Sequence, residues 1–128
     1  MAIGSLDLTV LDCPDPAALA EFYRGLVGGT VEVDERGDWA ELRGTGPGPG
    51  LAFQLAPDHV PPQWPDGDVP QQAHLDVNVA DLDEAEAAAV ALGARATGRS
   101  GPGEADAFRV YLDPAGHPFC LCIPIQAR

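Results

Sequence analysis

The chain has 128 residues, 45% of them hydrophobic, enough to bury the core of one ordinary domain without disulfide or metal support. Its formal charge of −13, with seven arginines and no lysine, argues against nucleic acid, which needs clustered basic residues on its phosphates. No stretch approaches the roughly 18 apolar residues of a membrane span, and no basic segment followed by an apolar one marks export.

Residues 5–11 alternate apolar and polar and predict a strand. Asp15 then offers an N-cap, with Pro16 at the first helical position where its missing N–H costs nothing. Ala17 to Val27 predicts a helix with Leu19, Phe22, Tyr23 and Leu26 on one stripe, stopped by Gly28-Gly29. Strands are expected at 30–35, 38–43 and 50–56, separated by Gly37 and the glycine-rich stretch 44–50. Residues 57–72, rich in Pro and Asp, read as a connector. His74–Ala80 predicts another strand, and Asp81 caps a helix that runs to Ala91 or Leu92 and ends at Gly93. Strands near 94–98, 107–113 and 117–124 complete the chain, the last two joined by the Asp113-Pro-Ala-Gly116 turn.

The same β-α-β-β-β unit therefore occurs twice, over about 3–56 and 73–124. Ser5-Leu-Asp-Leu-Thr-Val-Leu-Asp12 matches His74-Leu-Asp-Val-Asn-Val-Ala-Asp81, and Phe53, Gln54 and Leu55 match Phe119, Cys120 and Leu121. The offset is three residues larger at the start, a difference that extra residues around Cys13-Pro14-Asp15 would absorb. Period two then sorts the faces. Leu6, Leu8, Val10, Phe53, Leu75, Val77, Phe108, Val110, Leu112, Phe119 and Leu121 are expected under the helices. Ser5, Asp7, Thr9, Trp39, Glu41, Gln54, His74, Asp76, Asn78, Arg109, Tyr111, Cys120 and Cys122 are expected on the other face. That face is too polar for a core and too varied for a plain solvated surface. The expected fold class is α+β, two βαβββ modules whose curved mixed sheets surround a central cup.

These features resemble the vicinal oxygen chelate superfamily, which includes glyoxalase I, extradiol dioxygenases, fosfomycin-modifying enzymes and bleomycin-resistance proteins. The resemblance is carried by the paired units, by Glu21-Phe22-Tyr23 near Leu26-Val27-Gly28, and by Asp113-Pro-Ala-Gly-His-Pro-Phe119. Asp12-Cys-Pro-Asp-Pro16, Trp64-Pro65-Asp66-Gly67 and His74-Leu75-Asp76 look like its glyoxalase-like group. The resemblance implies one domain, a homodimer, and metal ligands from the first and last strand of each unit, here Ser5, Gln54, His74 and Cys120. Serine hydroxyl is a poor ligand, and Gln54 is uncharged. The expectation is therefore a cytoplasmic small-molecule-binding protein without an essential metal, of the sequestration or resistance type.

The expected ligand contacts are Asp7, Trp39, Gln54, Trp64, His74, Asp76, Arg109, Tyr111 and Cys120. The aromatic residues offer stacking or cation–π contact, and Arg109 a grip on a carboxylate. The strong acidity suits solubility first and attraction of a cationic ligand second. An accessory domain or partner-binding module is one rival to this reading, and two enzymatic rivals stand beside it. One is a metal-dependent lyase, isomerase or dioxygenase using His74, Gln54 and Cys120. The other is metal-free acid–base catalysis by His74. His117 belongs to a turn by its place beside Gly116. Motifs for nucleotide phosphates and for a serine nucleophile elbow are absent.

Overall fold

The computed structural model describes residues 2–64, 66–101 and 107–124. The chain forms two compact units, residues 1–59 and 60–128. The first contains β1 (Leu8–Cys13), α1 (Pro16–Val27), β2 (Thr30–Val33), β3 (Trp39–Arg43) and β4 (Gly50–Leu55). The second contains β5 (Leu75–Asn78), α2 (Leu82–Leu92), β6 (Arg95–Ser100), β7 (Phe108–Leu112) and β8 (Pro118–Cys122). Each unit has one mixed four-stranded sheet, ordered β1-β4-β3-β2 and β5-β8-β7-β6. In each, the first strand lies parallel to the last, a pairing that needs the crossover helix.

The helices start and stop where their sequences direct. The Asp15 carboxylate accepts the Ala18 N–H at 3.1 Å, and Asp81 accepts the Glu84 N–H at 2.9 Å. Each satisfies one of the orphan donors of a first turn. The α2 helix ends at Gly93 in the left-handed region, φ 118°. Buried Leu19, Phe22 and Tyr23 form the inner stripe of α1, as their spacing requires.

The cores repeat a single device. The Tyr23 ring stacks on Phe53, centroids 5.7 Å apart, and Tyr111 stacks on Phe119 at 5.5 Å. Around the first pair lie Leu19, Phe22, Ala40 and Leu42, all buried. Between β7 and β8, buried Asp113 accepts the backbone N–H groups of Ala115 and His117, at 2.8 and 3.0 Å. This builds the turn that Asp113-Pro-Ala-Gly116 predicts and places His117 in it. Gly116 has φ 88°, and a Cβ there would lie 2.6 Å from the Pro61 side chain, so this turn lets the connector pass close by.

Two strands face the opposite way from the alternation argument. On β1, Leu11 pairs with Phe53 and Cys13 with Leu55, so Thr9, Leu11 and Cys13 share the helix-covered face. Leu6 and Val10, expected in the core, are exposed, while Cys13 is fully buried. On β7, Tyr111 pairs with Phe119 and Arg109 with Leu121, whereas Val110 pairs with Cys120. Arg109 and Tyr111 therefore belong to the helix side, and Phe108 and Val110 to the face carrying Cys120 and Cys122. The physical reason for β1 is an odd slip. Leu11 pairs with Phe53 as Leu75 pairs with Phe119, so matching Ser5 with His74 sets the first strands five residues out of register. An odd error in a period-two element turns every side chain to the other side.

Candidate functional site

The second unit gathers titratable and aromatic side chains on the sheet face away from its stacked Tyr111–Phe119 pair. His74, just before β5, and Asp76 are two residues apart and point the same way. Asp76 is the direct partner of Cys120 on β8. The His74 Nε2 lies 3.1 Å from an Asp76 carboxylate oxygen. A ligating atom from each of His74, Asp76 and Cys120 falls within 4.8 Å of the other two. Burial, the negative charge of Asp76, the neighbouring Cys122 thiol and a hydrogen bond to Asp76 push the Cys120 thiol up to about 12. Free Cys120 is thus a neutral thiol and a weak nucleophile at physiological pH.

An apolar rim borders this polar group. Val110, Cys120 and Cys122 are buried together, with Trp64 and Phe108 packed against them. The Trp64 indole also stacks on the His74 imidazole, centroids 6.1 Å apart and planes 17° from parallel. Trp64 is held by its own loop, where the Gln63 N–H bonds the Val69 carbonyl and the Gln63 side chain accepts the Asp68 N–H at 2.8 Å. The connector therefore covers this sheet face instead of merely spanning two units.

The corresponding face of the first unit is built from charge. Arg43 forks onto Asp7 at 2.8 and 3.2 Å and reaches Glu41 at 2.8 Å, while the Trp39 indole N–H donates to Glu41 at 2.9 Å. The Arg43 hydrogen bond holds the Asp7 carboxyl below the usual range; the bonds from Trp39 and then Arg43 do the same for Glu41. Gln54 is exposed on this face, opposite Trp39. An open hollow of about 400 Å³ beside Asp7 and Arg43 is walled by the loop from Gly44 to Gly50.

The structure thus joins His74, Asp76, Cys120 and Trp64, and separately joins Asp7 with Trp39 through Arg43 and Glu41. It takes Arg109 and Tyr111 out of the expected site. The Tyr111 hydroxyl donates to Glu86 on α2 at 2.9 Å, and Arg109 pairs with Asp83 at 2.9 Å. Burial and then the Glu86 bond push the Tyr111 phenol up to about 12. Nor do Asp7 and Asp76 match: Asp12 pairs with Gln54 as Asp76 pairs with Cys120, while Asp7 precedes β1. Sequence reasoning missed Phe108 and Val110 as site neighbours. Their signal was present in the alternation of Phe108-Arg-Val-Tyr-Leu112 and was read in the wrong phase.

A family model described as a glyoxalase-like domain matches residues 8–122. The chain belongs to the glyoxalase-like domain family. A search of curated proteins finds no match. Among solved structures, the chain is similar to a glyoxalase/bleomycin resistance protein/dioxygenase family enzyme from Burkholderia phytofirmans PsJN. Identity is 17%, with 92% of this chain and 97% of that one covered at a TM-score of 0.67. A glyoxalase-related enzyme from Fulvimarina pelagi shares 18% identity over 95% and 89% of the two chains, TM-score 0.67. A glyoxalase/bleomycin resistance protein from Catenulispora acidiphila shares 20% over 94% and 99%, TM-score 0.62. At these identities the likeness is one of fold.

The glyoxalase-like fold raises the question of a divalent cation, and the four positions implied by the resemblance do not fit one. Ser5 is exposed and precedes β1. Counting back from the residues paired with Phe53 and Phe119, the place of His74 is taken in the first unit by apolar Val10. Gln54 adds only a neutral amide. At these positions the first unit of this glyoxalase-like chain offers a hydroxyl or an apolar side chain and a neutral amide, none of which offsets the charge of a divalent ion.

Proposed function

We propose that the chain is a small-molecule-binding protein of the glyoxalase-like family, of the sequestration type, which holds its ligand without the superfamily's shared four-ligand ion. The observation that carries the reading is Trp64 lying over His74. A flat aromatic surface, apolar Val110 and Phe108, and a polar corner at His74 and Asp76 are what a compact organic ligand requires. The charge of −13 favours a cationic ligand, for which the indole face and Asp76 offer complementary contacts. The reading includes a cytoplasmic homodimer whose cysteines Cys13, Cys120 and Cys122 form no disulfide and stay reduced.

Native mass spectrometry of freshly isolated protein tests this directly. An organic compound retained by the native chain and lost from Trp64→Ala is the expected result. A compound retained equally by both, or none retained by the native chain, would overturn it.

A second reading is favoured by the 3.1 Å His74–Asp76 pair, since a carboxylate beside an imidazole orients it for proton transfer. In that reading His74 is a metal-free general base. Turnover of the retained compound by the native chain and not by His74→Ala distinguishes it from passive binding.

A further inference from the structure

We infer that the second unit carries a further binding site, between α2 and the β6–β7 edge, for a small zwitterion of the α-amino-acid type. An open hollow of about 410 Å³ lies there, walled by Asp83 and Glu86 of α2 and by Arg99, Ser100 and Arg109 of the strands. The sequence both opens this space and charges it. Counting from the caps, Leu19, Ala20 and Tyr23 of α1 correspond to Ala85, Glu86 and Ala89 of α2. The first helix–sheet seam is filled by those buried apolar side chains. In the second, alanine replaces the two large ones and a carboxylate replaces the third. Arg109, its side chain only 22% exposed, runs into this seam and meets Asp83 at 2.9 Å. The strand edge is shaped as well. β2 and β3 pair without a break, whereas from the Ala96–Tyr111 pair to the Ser100–Arg109 pair β6 spends four residues and β7 two. The excess loops out at Gly98, φ 81°, where the Thr97 hydroxyl donates to the Val110 carbonyl at 2.8 Å and accepts the Arg99 N–H at 3.2 Å. An even excess keeps the facing, so Ser100 returns to the side of Ala96 and Arg109.

Two signs of charge select the ligand. Glu86 gives one carboxylate oxygen to the Tyr111 hydroxyl, and its other oxygen lies 3.8 Å from Arg109, beyond hydrogen-bond range. A ligand ammonium beside Glu86 and Asp83 supplies the donors that these carboxylates can still accept. Arg99 holds Asp66 at 3.4 Å, a pair open to solvent on both sides and worth little. A ligand carboxylate takes the place of Asp66 on that guanidinium, with the Ser100 hydroxyl as a second donor. A zwitterion satisfies both ends at once. Its lack of net charge also escapes the repulsion that a chain at −13 exerts on simple anions. Small Ala96 and Gly98 leave room for its backbone against the strand.

Titration of the isotope-labelled full chain with L-alanine, followed by amide NMR, tests it. Saturable shifts at Gly98, Arg99 and Ser100 in the millimolar range are expected. N-acetyl-L-alanine, which lacks the ammonium, and L-alaninamide, which lacks the carboxylate, should each bind at least about tenfold more weakly. Arg99→Gln and Glu86→Gln should each weaken L-alanine binding about tenfold, and the glutamine keeps an acceptor for Tyr111. Asp66→Asn, at a side chain 91% exposed, should instead tighten binding about twofold by removing the competitor for Arg99. A merely structural role for Arg99 does not produce that gain. The inference is overturned by the absence of saturable shifts, by equal binding of either single-charge analogue, by an affinity unchanged in Arg99→Gln or Glu86→Gln, or by one not raised in Asp66→Asn. Shifts confined to Trp64 and His74 would also overturn it, so this site and the ligand proposed above stand or fall separately.

Discussion

The two units share topology, cap chemistry and a stacked tyrosine–phenylalanine pair, yet they finish the far sides of their sheets in opposite ways. The first spreads an ion-pair chain over it, from Asp7 through Arg43 to Glu41 and Trp39, with half the Arg43 side chain in solvent. The second covers it with Trp64 from the connector, above thiols and a histidine–carboxylate pair. On β4 the residue between Phe53 and Leu55 is exposed Gln54; on β8 its counterpart is buried Cys120. A duplicated backbone thus fixes where a strand pairs and leaves each outer face to be specialised separately. The chemistry concentrates where the connector packs against the sheet.

The sharpest way to break this comparison is through the shared cores. If the stacked pairs are equivalent, Phe53→Ala and Phe119→Ala should each cost about 3–5 kcal/mol, the usual loss for a fully buried phenylalanine. Urea unfolding of both variants measures it. A small domain holds only about 5–15 kcal/mol in total, so each change should leave the protein barely folded. Unequal losses would show that the two units contribute differently to one cooperative transition.

Much of this was legible before any coordinates. Asp15 and Asp81 as caps, Gly28 and Gly93 as stops, and the β-α-β-β-β succession along the chain follow from local chemistry that needs no tertiary information. Facing was harder, because alternation divides a strand into two sets without saying which set meets the helix. In β7 the apolar residues Phe108 and Val110 turn toward Trp64, while Arg109 and Tyr111 go to the helix side. They can do so because their polar ends reach Asp83 and Glu86 on α2, leaving the stem and ring between sheet and helix. That pairing depends on the helix being in place. The convergence of His74, Asp76 and Cys120 likewise depends on the register of β5 with β8.

The units should also differ in the pH range that weakens them. In the second, Cys120 and Tyr111 are both pushed up to about 12, from ordinary values of 9.0 and 10.0. A raised acidic group favours its neutral form in the folded state. Its stabilisation is complete below the ordinary value and disappears as pH rises through the folded one, here between about 9 and 12. In the first unit, the lowered Asp7 and Glu41 favour their charged forms, so their contribution is present above the ordinary carboxylate range and is lost on acidification. Those groups are open to solvent, and the acid effect should be the smaller. Thermal unfolding followed from pH 3 to 11 should fall more steeply on the alkaline side, and Cys120→Ala with Tyr111→Phe should flatten that limb. An unchanged alkaline limb in the double variant would remove the contrast.

Removing the cover should expose the thiols. In Trp64→Ala, alkylation of Cys120 and Cys122 at pH 8 should accelerate about tenfold, because access limits a buried thiol together with its small thiolate fraction. Cys13, buried on the helix-covered face of the first unit, should keep its native rate and serves as the internal control. Peptide-resolved mass spectrometry gives all three rates at once. Equal acceleration at all three would mean that the substitution loosened the whole chain instead of lifting a local cover.

The smallest effect should come from the face built of charge. Trp39→Phe keeps the ring and removes only the indole N–H that donates to Glu41, a single charge-assisted hydrogen bond at a half-exposed site. The expected loss is about 1 kcal/mol or less, since Glu41 retains Arg43 and gains water in place of the lost donor. Added salt should reduce the difference between Trp39→Phe and native protein in urea unfolding, because screening weakens exposed partners of Arg43 first. Salt should barely alter the effect of Trp64→Ala, whose contacts are apolar. If instead the Trp39 substitution proved as costly as the Trp64 one and equally indifferent to salt, the outer face of the first unit would be closed by packing, and charge would not be what separates the halves.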